Sequence, residues 1–138
     1  MSKTIGYWTA TALVALAMIS GGAMDLWGPP ELVEGMAHLG YPAYFMVILG
    51  TWKVLGGAAI LLPRLPLLKE WAYAGIAFDL TGAAASHAFS GDALTNVLTP
   101  MVILALAIAS WALRPESRRL PSATTEAVVP TGRALATH

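Results

Sequence analysis

Apolar residues gather in four long stretches, each separated from the next by a short run of prolines, glycines or charges. The stretches run near Ile5 to Trp27, Tyr44 to Leu62, Trp71 to Phe89 and Leu94 to Leu113. Each approaches the roughly 20 residues that a helix needs to cross a hydrocarbon core. The pattern predicts an all-α protein, an integral membrane four-helix bundle that fills one domain over residues 1–113 and leaves no room for a soluble catalytic module. The first stretch is long, stops at Pro29 and Pro30, and has no clear small-residue cleavage site, so it reads as a retained helix rather than a signal peptide.

The connections differ in character. After the two prolines, Leu32, Val33, Met36 and Leu39 fall at approximately helical spacing and predict a short helix on the outer surface. Pro63 to Glu70, with two prolines and two basic residues, reads as a compact turn. Ser90, Gly91 and Asp92 read as a tight turn in which Asp92 is placed to cap the last helix. From Arg114 to residue 138 the composition shifts to Pro, Ser, Thr, Glu and Arg without periodicity, which predicts a flexible polar cytoplasmic tail.

Composition agrees with the pattern: 57% of residues are hydrophobic, 12% are charged, and mean hydropathy is +0.64, more apolar surface than a soluble domain of 138 residues could hide. Lys3 precedes the first stretch, Arg64 and Lys69 lie between the second and third, and Arg114, Arg118 and Arg119 follow the fourth, while the other two connections carry no Lys or Arg. By the positive-inside rule both termini are cytoplasmic. The expected location is a cell membrane crossed several times, a bacterial inner or plasma membrane, with the lipid bilayer as first partner. The formal net charge is zero, which gives no reason to expect a nucleic-acid partner.

Against this apolar background Lys53 and Asp79 stand near the middle of their segments, where an ionised side chain costs roughly 2.5 to 3.5 kcal/mol. Helical rise places both near the same depth, and the small residues Gly50, Gly56, Gly57, Gly75, Gly82 and Ala83 accompany them, so the pair is expected to meet across a close helix contact. Such a pair either fixes helix register or serves a proton or ligand site. A second group collects toward the outer end: Asp25, in step with Ala17 and Gly21, and His87, two turns above Asp79. Lys53, Asp79, His87 and Asp25 are the candidates for ligand binding or proton exchange. Glu34 and His38, four residues apart, are outer-surface polar candidates, with Glu31 beside them. The chain has no phosphate loop, no metal-ligand motif and no nucleophile elbow. It also lacks cysteine, which excludes thiol exchange and thiolate metal sites within the chain. Trp8, Trp27, Trp71 and Trp111 fall near segment ends, as an interfacial aromatic belt requires; Trp52, beside Lys53, does not.

Two runs, Gly50-Thr-Trp-Lys53-Val-Leu-Gly-Gly57 and Asp79-Leu-Thr-Gly-Ala-Ala-Ala-Ser-His87, resemble the DoxX-like family of small bacterial membrane proteins, and the likeness extends over about residues 4 to 113. The resemblance implies the same four-helix membrane fold. It also implies an association with redox chemistry, since relatives include a membrane subunit linked to thiosulfate-to-quinone electron transfer and proteins linked to oxidative stress, while animal relatives act in receptor assembly. Two readings follow. In one the bundle binds a quinone or another lipophilic small molecule as a redox-associated subunit. In the other it is a non-catalytic partner or assembly factor, whose buried polar residues are structural and which recognises another membrane or redox protein or a second copy of itself.

Overall fold

The computed structural model describes residues 1–122. Five α-helices follow in order, α1 (Ser2–Trp27), α2 (Pro30–His38), α3 (Ala43–Leu61), α4 (Pro66–Phe89) and α5 (Leu94–Ala112), and a 3-10 turn spans Glu116–Arg118. No strand occurs among the described residues. Helix α1 ends where Gly28 takes a left-handed conformation (φ 64°) and its N–H closes onto the Met24 carbonyl at 3.0 Å. The two prolines behind it are spent well: Pro29 caps α2 and Pro30 opens it, a position where the missing N–H costs nothing.

The four long helices pack in a ring, with α1 against α3, α3 against α4, α4 against α5 and α5 against α1, while the short α2 lies across the end at which α3 begins. Val14, Met18, Ile60, Ile76, Leu80 and Leu104 meet at the centre. Outward, Leu16, Val47, Leu55, Phe78, Val102 and Ile108 are exposed, an apolar belt that lipid covers. Helices α1, α3 and α5 are each long and apolar enough to cross a membrane. Helix α4 has the length, 24 residues, but Lys69, Glu70 and Asp79 dilute its apolarity. The protein is therefore a multi-pass membrane protein.

Three expectations need correction here. The segment from Pro63 to Glu70 is not all turn, because α4 already starts at Pro66; only Pro63 to Leu65 link the helices, with Arg64 at φ 63°. Extending the helix turns Lys69 inward, where it is fully buried and its Nζ donates to the carbonyls of Ala59 (2.9 Å) and Ile60 (3.0 Å). A cation thus satisfies carbonyls that the end of α3 leaves unpaired. Second, the chain is docked beyond residue 113. Arg114 is buried, pairs with Glu70 and stacks over Tyr73 and Trp111, Arg118 reaches the Tyr7 hydroxyl and the Leu61 carbonyl, and Arg119 donates to the carbonyls of Arg114 and Ala112. The rest of the expected tail, from residue 123, lies outside the described residues.

Third, the close small-residue contact joins α1 to α3, not α3 to α4. A Cβ placed on Gly22 would stand 2.7 Å from the Gly50 carbonyl oxygen, and one on Gly50 would stand 2.7 Å from that of Gly22. Gly57 is pressed in the same way against Ile19, Met18 and Ala15. These glycines let two helix backbones touch, as membrane interfaces often require. On α4, by contrast, Gly75 and Gly82 face open space.

Candidate functional site

The α1–α3 contact decides the partner of Lys53. Because Gly22 and Gly50 bring the helices together, the Asp25 β-carbon would lie 2.9 Å from a side chain at position 50, which puts Asp25 level with Gly50. Lys53 lies one turn deeper, about 4.5 Å by helical rise. Its long stem spans that step, and Nζ donates to Asp25 Oδ2 at 3.0 Å. The ion pair is well enclosed, with side chains 21% and 9% exposed for Lys53 and Asp25. The expected Lys53–Asp79 pair is therefore replaced by Lys53–Asp25. Asp79 has Lys53 and Asp25 as its charged neighbours but forms no ion pair with either.

Between α3 and α4 a cavity of about 510 Å³ opens sideways through the belt. Lys53 and Asp79 stand at one end with Trp52 and Phe78; Trp71 and Leu68 stand at the other; Met18, Ala59 and Ile76 form the floor. From Leu49 to Ala59 along α3 the groove runs for about 15 Å by helical rise. Trp52, Trp71 and Phe78 are each more than two-thirds exposed at the rim. Gly75 and Gly56 keep the groove wide, since a Cβ on Gly75 meets no atom within 4 Å. Trp52 was the visible signal for this groove: an indole in mid-segment, away from the aromatic belts. The cavity itself left no pattern, because it arises from what α3 and α4 fail to fill.

His87 does not join Asp25. Its Nδ1 donates to Asp92 Oδ2 at 2.6 Å, and His38 Nε2 donates to the other carboxylate oxygen, also at 2.6 Å. Asp92 is thus no cap for α5, whose N-cap Ala93 makes no side-chain bond; it fastens the end of α2 to the end of α4. Tyr41 adds a second fastening through its hydroxyl to Ser86 (2.8 Å). Glu34 and Glu31 are exposed and enter no ion pair among the described residues, and His38 bonds Asp92. The bonds from His87, then His38, hold the Asp92 carboxyl below its ordinary value of 3.8. A depressed folded-state value means that this bridge contributes stability fully above the unfolded value and loses it as pH falls through the folded one. The stability difference between wild type and Asp92→Asn should accordingly be present at about pH 5 and shrink as pH falls below about 4. A difference that persists unchanged to about pH 3 would assign the effect to another group.

The DoxX-like family model matches residues 9–110, which spans all five helices except the first turns of α1 and the last residues of α5. The chain belongs to the DoxX-like family. In this DoxX-like protein the matched region contains Asp25, Lys53, Asp79, His87 and Asp92, whereas Arg114 and the docked turn after it lie beyond. No curated protein and no solved structure matches the chain.

Proposed function

We propose that this DoxX-like protein binds a lipophilic small molecule of quinone size, which enters from the bilayer between α3 and α4. The observation that carries the reading is the lateral cavity of about 510 Å³ with two ionisable groups, Lys53 and Asp79, at one end of an otherwise apolar groove. That combination is the usual form of a small-molecule site: an apolar body with a few convergent polar groups that fix orientation. Intramembrane charge also defaults to function. The redox-linked relatives that the sequence resembles support reading the ligand as an electron or proton carrier shared with a redox partner. In this reading α4 spans the bilayer with α1, α3 and α5. Lys3, Arg64, Lys69, Arg114, Arg118 and Arg119 then share the cytoplasmic side with both termini.

The test is the small-molecule content of protein purified in native lipid discs. The expected result is a lipophile retained near one per chain in wild type and lost in Gly75→Phe, whose ring enters space that is empty now. Equal content in both proteins, with Gly75→Phe folded, would shift the reading to the partner or assembly role. Reporters fused at the N-terminus and at Gly91 should score on opposite faces of the membrane; the same face for both would overturn the orientation.

A further inference from the structure

The charges around the pocket do not balance, and the surplus names a ligand class for the site proposed above, on which this inference rests. Asp25 comes from α1, Lys53 from α3 and Asp79 from α4; α5 carries no charged residue between Leu94 and Ala112. Asp25 and Lys53 neutralise each other at 3.0 Å. That leaves one carboxyl, Asp79, in the wall of an apolar groove with no cation of its own. A carboxylate withdrawn from water must be neutralised, either by a proton or by a positive partner. The cation in the groove wall, Lys53, is engaged by Asp25, but a ligand can bring another. Trp52 and Phe78 line the same end as Asp79, and aromatic faces favour organic cations, Trp most of all. The rest of the groove, out to Trp71 and Leu68, suits an apolar body.

We propose that the pocket takes a lipophilic cation, a hydrophobic amine or onium ion whose positive charge lies against Asp79 and whose apolar body fills the groove between α3 and α4. In the empty site Asp79 holds a proton; when the cation enters, that proton leaves to water, so one positive charge replaces another and the groove stays neutral. A neutral quinone has no such exchange to make, because Asp79 keeps its proton and its O–H donates a hydrogen bond to a carbonyl oxygen.

Binding of tetraphenylphosphonium and of a decyl-substituted benzoquinone to the full chain in lipid discs, from pH 5 to 9, separates the cases. The cation should bind more tightly as pH rises, by up to about tenfold per pH unit where Asp79 releases its proton, with one proton released per cation bound. Asp79→Asn should weaken cation binding at least tenfold and flatten the pH dependence, while Asp79→Glu, which keeps the charge, should retain both. Thermal stability measured alongside shows that each variant is folded. Gly75→Phe should exclude both probes. Quinone binding without cation binding, or cation binding that Asp79→Asn leaves intact, would overturn the inference and leave the lipophile reading standing. If neither probe binds, and Gly75→Phe changes nothing, both fall together.

Discussion

Replacing Lys53 by methionine should lower unfolding stability by about 3 kcal/mol, the scale on which a buried ion pair is broken from one side. The loss comes from Asp25, whose carboxylate would be left enclosed beside α3 with no counter-charge. Asp25→Leu should cost a similar amount, because it strands the Lys53 ammonium, although that side chain is 21% exposed and has some freedom to find a new environment. The double variant should recover much of the loss, since two apolar groups of similar size replace both charges. Lys53→Met combined with Asp79→Leu should show no such recovery. Stability in detergent for wild type and these four variants decides the matter. Rescue by the Asp79 change rather than the Asp25 change would mean that Lys53 serves the acid on α4.

The second large effect is expected at the opposite end. Arg114 is 3% exposed, and Glu70 is the carboxylate paired with it. Glu70→Ala should cost about 3 kcal/mol by leaving the guanidinium without that partner, and it also removes the acceptor of the Trp111 indole N–H. One guanidinium nitrogen, Nη1, is already buried without a hydrogen-bond partner, so little local capacity remains to absorb the change. Glu70→Gln should cost less, because an amide oxygen still accepts from Arg114. Equal losses for the two variants would indicate that carboxylate charge, rather than hydrogen bonding, dominates.

The helices were largely legible because bilayer thickness forces long apolar runs, and those runs are visible in one dimension. Pro29, Pro30 and Gly28 marked their stops, and the spacing of Leu32, Val33 and Met36 revealed α2. The pairing of charges was not legible in the same way. Depth along a helix follows from counting residues, but azimuth and neighbour choice depend on which faces touch. Lys53 and Asp79 do line one pocket. What counting missed is that Gly22 and Gly50 draw α1 against α3, and that a lysine stem bridges one helical turn. Lys69 shows the same limit: beside two prolines it looked like a loop residue, yet Pro66 is an acceptable first residue of a helix, and the helix carries Lys69 onto the carbonyls of α3. Asp92 resembled a cap because caps and bridging carboxylates occur in the same kind of turn.

The Lys53–Asp25 pairing also bears on the order in which the chain leaves the ribosome. Both partners lie within the first 53 residues, so α1 and α3 can neutralise their charges as soon as they enter the membrane as a hairpin, before α4 has been made. Asp79 then arrives at a wall whose only lysine is already engaged. The later helices are held by a different set of contacts, Lys69 to α3, Glu70 to Arg114, and Arg118 back to Tyr7 on α1. The ring can thus be divided into an α1–α3 half made first and an α4–α5 half made later, and the open groove lies on one of the two seams between them.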